Sequence, residues 1–106
     1  MTADQIDSLF AAATQAHPEA RYRLAEAEAL VVAHLLTPQV GILTADADGG
    51  TGLVTAIRVR SRSRAHLVHT VTLDGSCDCE WQRKGHHRNC THALAARAFM
   101  RIIESA

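Results

Sequence analysis

The segment that decides the fold begins with Cys77-Asp78-Cys79 and closes, after ten intervening residues, with Cys90-Thr91-His92. Three thiols and one imidazole form a Cys₃His set, a common complete ligand shell for structural zinc. A complete shell leaves no position for a substrate water, which favours a structural metal over a catalytic one. We therefore predict that Cys77, Cys79, Cys90 and His92 bind Zn²⁺.

This spacing constrains the backbone on both sides of the metal. Residues two apart in a strand are separated by about 6.6 Å, but two sulfurs on one tetrahedral zinc lie only about 3.8 Å apart. The Cys77–Cys79 segment must therefore bend, after the turn signal Asp74-Gly75. Residues two apart in a helix point about 200° apart. We expect Cys90 to precede a helix, and His92 to lie in its first turn, where the helix N-terminus favours the Cys90 thiolate.

The arrangement resembles the SWIM-type zinc finger, whose signature is Cys-x-Cys, a variable gap and then Cys-x-His. The resemblance covers about residues 54–104, and each of the four ligand positions is filled. It implies a ββα unit in which those four residues bind zinc. Family members are nucleic-acid-binding or protein-interaction modules, often attached to transposases, chromatin remodellers, recombination factors or ubiquitin ligases.

Other interpretations of these residues stay open. The cysteines could be small buried hydrophobes, or Cys77 and Cys79 could form a redox pair. His86 or His87, inside the loop, could replace His92 as the fourth ligand. Three cysteines are an odd number and a poor basis for a disulfide framework, and reduced thiols fit the cytoplasm.

The two halves of the chain carry opposite net charges. Residues 1–56 carry seven acidic side chains and two arginines, a net charge of −5, whereas residues 57–106 carry nine basic and four acidic side chains, a net charge of +5. The basic half is therefore expected to face either an acidic partner or the chain's own N-terminal half.

Two basic clusters are candidates for binding nucleic acid. Arg58, Arg60, Arg62 and Arg64 alternate with other residues, so all four project from one face if the strand continues that far. Such a row could grip a phosphate backbone. The second cluster lies in the zinc loop and comprises Arg83, Lys84 and Arg88, together with His86 and His87. The alternative is that the two clusters have no binding role, and that they form only a solvent-exposed strand face and a soluble loop.

Trp81 lies beside the second cluster. It could stack on a base or anchor a partner protein. The alternative, which we favour, is that it packs near the metal, because aromatic residues make up only 4% of the chain and its core has few large side chains.

Helices are predicted at both ends of the chain. Thr2 and Gln5 have the spacing of a capping box, and Ile6, Leu9, Phe10 and Ala13 form one apolar face. A second helix is predicted from about Glu19 to Leu36, ended by Thr37-Pro38. Its predicted apolar stripe is Tyr22, Ala25, Ala29, Val32, Ala33 and Leu36. A last helix is predicted from Thr91 to Glu104, with Leu94, Ala95, Ala98, Phe99 and Ile102 as its stripe.

Strands are predicted between the helices. Val40–Ala45, Leu53–Arg60 and His66–Leu73 have strand-like composition, and Leu67, Val71 and Leu73 fall on one face of the third. The predicted fold is α+β: an N-terminal helical hairpin, a small antiparallel β-sheet and a C-terminal zinc-bound ββα unit. We expect one domain over residues 1–106, with the hairpin in 1–38 and the sheet plus zinc finger in 39–106.

The expected function is that of a small binding module. The chain has no nucleophile-bearing turn such as Gly-x-Ser-x-Gly, so we expect no enzyme activity and no small-molecule substrate. Nucleic acid is the favoured partner, and the alternative is an adaptor subunit that binds protein within a DNA-processing complex. No apolar run is long enough to cross a bilayer and no signal peptide is visible, so a cytoplasmic location without membrane contact is expected.

Overall fold

The fold is α+β, as predicted. A computed structural model describes residues 2–42, 52–64, 66–79, 82 and 90–104. Within these ranges the chain forms three α-helices, one 3₁₀ turn and a three-stranded antiparallel sheet. In chain order the elements are α1 (Ala3–Ala16), the 3₁₀ turn (Pro18–Ala20), α2 (Arg21–Val32), β1 (Leu36–Ile42), β2 (Gly52–Arg60), β3 (Val68–Thr72) and α3 (Thr91–Glu104).

The predicted capping box begins α1. The Gln5 N–H donates to Thr2 Oγ1 at 3.1 Å, and the Thr2 N–H donates to Gln5 Oε1 at 2.8 Å. Both bonds satisfy N–H groups that a helix start would otherwise leave free. Ile6 and Phe10 are buried and Leu9 packs against the core, which confirms the predicted face.

The prediction for α2 is wrong at its C-terminal end and in its buried face. The helix ends at Val32, and His34 adopts a left-handed conformation with φ 56°. The Leu35 N–H donates to the Leu30 carbonyl at 3.2 Å, and this bond closes a Schellman-type cap. The buried residues are Leu24, Ala27, Leu30 and Val31. Of the predicted stripe, Tyr22 is 74% exposed and Val32 is 54% exposed.

The sheet begins earlier than predicted. β1 starts at Leu36, inside the range assigned to the helical hairpin, and pairs antiparallel with β2 from Leu36↔Val59 to Ile42↔Gly52. β1 is an edge strand in the order β1-β2-β3, and it therefore tolerates Pro38, which lacks an N–H donor. The predicted turn at 46–50 lies outside the described residues.

β3 is shorter than predicted. It pairs with β2 from Ala56↔Thr72 to Arg60↔Val68. Of the predicted apolar face, Val71 is buried, whereas Leu67 and Leu73 lie outside the strand and are 36% and 58% exposed. The predicted strand therefore contributes one buried apolar side chain to the core, not three.

The last helix, α3, has the predicted bounds and completes the core. It contacts α1, α2 and all three strands. Its small residues allow this close approach: Ala93, Ala95, Ala96 and Ala98 are buried, together with Phe99 and Ile102. None of the described helices combines the length and the apolar composition needed to cross a membrane.

Candidate metal centre

The first two cysteines follow a tight turn at the end of β3. The Gly75 N–H donates to the Thr72 carbonyl at 3.0 Å, and the Thr72 N–H donates to the Ser76 carbonyl at 2.9 Å. Gly75 has φ +91°, a conformation that glycine adopts without steric cost. The turn brings Cys77 back alongside β3, where it forms an isolated antiparallel bridge with Val71. The chain bends again at Cys79, as the geometry of two neighbouring sulfurs requires.

The other two candidate ligands lie at the start of α3. Cys90 precedes the helix, and His92 lies in its first turn, as predicted. The Leu94 N–H donates to the Cys90 carbonyl at 3.0 Å. The Ala93 N–H lies 3.4 Å from Cys90 Sγ and donates to it, so the Cys90 side chain caps the helix. A sulfur in this position faces the positive end of the helix dipole.

The fold brings these two segments together into one cluster. The ligand atoms of Cys77, Cys79, Cys90 and His92 all lie within 4.8 Å of one another. Cys79 and Cys90 are buried, and the other two are half-buried. All three cysteines are free thiols, so Cys77 and Cys79 form no disulfide here. This Cys₃His cluster can hold a metal ion.

The electrostatics of the sulfurs favour a cation. The hydrogen bond between Cys77 and Cys90 lowers the pKa of Cys90 and raises that of Cys77, and burial adds to the rise at Cys77. The lowered pKa favours the thiolate form of Cys90, the form that binds a metal. A divalent cation would neutralise the thiolates of the cluster and displace their protons, because metal binding at cysteine sites releases protons.

The histidine also fits a metal ligand. His92 Nδ1 is buried and has no hydrogen-bond partner among the described residues. A buried polar atom without a partner is costly, and coordination of a metal by the ring would offset such a cost at this site. The donor set of three sulfurs and one imidazole suits a soft or borderline metal.

A glutamine that the sequence analysis did not identify links the two halves of the cluster. Gln82 Oε1 accepts the Cys77 N–H at 2.9 Å, and Gln82 Nε2 donates to the Gly75 carbonyl at 3.1 Å. The same Nε2 donates to Cys90 Sγ at 3.4 Å. One side chain therefore contacts the turn before Cys77 and the sulfur that starts α3. No local pattern in the sequence marks this role, because it depends on the tertiary structure around Gln82.

A second link runs through the residue between the first two cysteines. Asp78 Oδ1 accepts hydrogen bonds from His69 Nδ1 at 3.0 Å and from the Thr70 N–H at 3.2 Å. The ring of His69 lies against that of His92, with centroids 4.4 Å apart and planes inclined by 42°. His69 therefore contacts the predicted ligand His92 directly. The sequence offered one signal for the role of Asp78. This acidic residue lies between two predicted ligands, Cys77 and Cys79, and must therefore lie close to the candidate metal site.

Comparison with known proteins gives no relative for this chain. No family model, curated protein or solved structure matches it. The interpretation of the cluster therefore depends on the chain's own geometry and chemistry.

The structure divides the predicted arginine row into two parts. Arg58 and Arg60 are exposed on β2, whereas Ile57 and Val59 point into the core. The strand ends at Arg60, and the Arg64 N–H donates to Ser61 Oγ at 3.2 Å. Arg62 and Arg64 are exposed beyond the strand, so the condition under which all four arginines would project from one strand face is not met.

The remaining predicted site residues lie outside the part of the chain that the structure describes. They are Trp81, Arg83, Lys84 and Arg88, with the alternative ligands His86 and His87.

Proposed function

We propose that this chain is a small zinc-binding module of the SWIM type in which the metal is structural. The observation that carries the proposal is the Cys₃His cluster, whose four ligand atoms lie within 4.8 Å of one another. Zinc is the metal that such a set of thiolates and imidazole most commonly binds in four-coordinate structural sites.

The proposed role of the metal is to cross-link two elements. Cys77 and Cys79 follow β3, and Cys90 and His92 begin α3, so one ion ties the sheet to the last helix. The buried faces that meet there consist largely of alanine and valine, which give limited apolar burial. We also propose that the module is not an enzyme, since four protein ligands leave no coordination position for a substrate.

The proposed partner of the module is the phosphate backbone of a nucleic acid. Arg58 and Arg60 project from the exposed face of β2, and no acidic side chain among the described residues forms an ion pair with them. Thr37 and Thr70 are paired with Arg58 on the neighbouring strands and add hydroxyl groups to the same row. Guanidinium and hydroxyl groups are frequent contacts of phosphate oxygens.

A salt-dependent binding assay tests this function. Zinc-loaded protein is titrated into labelled single-stranded and double-stranded DNA and RNA at several salt concentrations. We expect affinity to fall steeply with salt, and Arg58→Gln and Arg60→Gln each to reduce the slope of log K against log salt by about 1. Arg21→Gln, an exposed change on α2, is the matched control.

Two results would oppose nucleic-acid binding. One is the absence of any retention at low salt by protein that contains zinc. The other is an equal loss of affinity in the Arg58→Gln variant and the Arg21→Gln control. In either case the adaptor hypothesis becomes the better account, and a pull-down with zinc-loaded protein as bait is the next experiment.

A further inference from the structure

A cavity remote from the zinc ligands lies where the three helices meet. Its volume is about 330 Å³, within the range of small-molecule sites. Residues of α1, α2, α3 and the 3₁₀ turn line it, and the apolar ones are Leu9, Phe10, Ala13, Ala20, Leu24, Leu94 and Ala98. Three of the lining residues, Ala13, Ala20 and Ala98, have side chains too short to fill the space between the helices.

The charged residues that line the cavity are mainly basic. Arg97 and Arg101 lie one turn apart on α3, both are exposed, and neither forms an ion pair with a described residue. Arg23 and His17 also line the cavity. The one acidic residue among the lining side chains is Glu19, whose Oε1 lies 3.5 Å from His17 Nδ1. The site thus combines an apolar interior with a positively charged rim.

We propose that this cavity binds a monomeric anionic amphiphile, with its alkyl tail among the apolar residues and its carboxylate or phosphate head at Arg101. Charge complementarity determines the sign of the head group, because guanidinium groups bind carboxylates and phosphates through paired hydrogen bonds. The apolar lining determines the chemistry of the tail.

A cavity of this size can enclose only a limited length of tail, so affinity should stop rising with chain length once the cavity is full.

Titration of the zinc-loaded full chain with saturated carboxylates tests this proposal. Hexanoate, octanoate, decanoate and dodecanoate are added below their micelle concentrations, and binding is followed by calorimetry and by amide chemical shifts. We expect affinity to rise about fourfold per methylene until the cavity is full, and then to level off. Decanol, which has a similar tail and no charge, should bind at least about tenfold more weakly than decanoate.

Variants on the two sides of the cavity separate the contributions of head and tail. Arg101→Gln should weaken decanoate binding at least about tenfold. Ala13→Leu should fill part of the cavity and shift the preferred chain length downward. Arg58→Gln and Ala25→Leu, exposed changes on β2 and α2, are the matched controls and should bind as the unaltered chain does.

The proposal is overturned if decanoate causes no chemical-shift change at millimolar concentration in protein shown to be folded. It is also overturned if binding occurs but both Arg101→Gln and Ala13→Leu leave it unchanged. If Ala13→Leu fails to fold, the chain-length series and Arg101→Gln still decide the outcome. Zinc content is measured on the same samples, so a failure here is distinct from a failure of the metal assignment.

Discussion

Gln82 Nε2 donates a hydrogen bond to Cys90 Sγ at 3.4 Å. This bond connects Gln82, which follows Cys79 in the chain, to the residue immediately before α3. The other end of the same amide accepts the Cys77 N–H. A neutral side chain thus supports two candidate metal ligands from opposite ends of the cluster. Hydrogen bonds of this kind orient ligands and tune their affinity for a metal.

Replacement of this glutamine should weaken metal binding. Gln82→Leu removes the hydrogen bonds to Cys77, Gly75 and Cys90 while it keeps a side chain of similar size. We expect zinc affinity to fall at least about tenfold, measured by competition with a chromophoric chelator. Gln15→Leu, the same change on the exposed face of α1, is the control. Equal affinities in the two variants would contradict a role for Gln82 at the metal site.

Removal of the Asp78 carboxylate should loosen the contact between His69 and His92. Asp78→Ala abolishes two hydrogen bonds, from His69 and from Thr70, and because the carboxylate is half-exposed we expect a loss of about 1 kcal/mol in the free energy of unfolding. Urea denaturation of the zinc-loaded protein measures this loss. Asp7→Ala on α1 should change stability by less than about 0.5 kcal/mol. A similar effect of both changes would show that the Asp78 bonds contribute little.

Substitution of Gly75 should destabilise the protein because of the positive φ angle of its backbone, and not because a larger side chain lacks space. Its φ of +91° disfavours residues with a Cβ, whereas the nearest side-chain atom to an added Cβ, on Arg97, lies at an ordinary 3.4 Å. Gly75→Ala should therefore cost about 1 to 2 kcal/mol, and Gly75→Asn should cost less, because asparagine tolerates positive φ better. Thermal denaturation of both variants gives the ranking, and a greater loss for asparagine would indicate that steric crowding dominates.

The core should be most sensitive at the centre of β2. Ile57 is 1% exposed, and truncation to alanine should cost about 2 to 5 kcal/mol through lost burial and a residual cavity. Leu73→Ala, at a position that is 58% exposed, should stay within about 0.5 kcal/mol of the unaltered protein. Comparable losses at the two positions would mean that the sheet does not pack as described.

Local signals in the sequence correctly predicted the start of the first helix and the bounds of the last one. The Thr2–Gln5 capping box and the Thr91–Glu104 helix are both present, because a cap and a 3.6-residue period are encoded within a few consecutive residues. The positions of Cys90 before the helix and His92 in its first turn also followed from local geometry. Two ligands two residues apart cannot share a metal from mid-helix.

Tertiary interactions decided the features that the sequence did not reveal. The alanine-rich sequence of α2 is compatible with more than one apolar face, and packing against α3 selected Leu24 and Leu30 over Tyr22. Pairing with Val59 drew Leu36 into a strand. The cavity between the helices forms only after distant segments meet. The hydrogen bonds of Gln82 join residues five to eight positions apart without a helix or strand period, so no periodicity or motif predicts them.

The most direct test of the metal assignment is the metal content of the purified protein, determined by mass spectrometry with inductively coupled plasma. We predict about one zinc per chain in protein prepared without added metal, and its loss in a Cys90→Ser variant. A folded protein that contains no bound transition metal, or a Cys90→Ser variant that retains its zinc, would contradict the account.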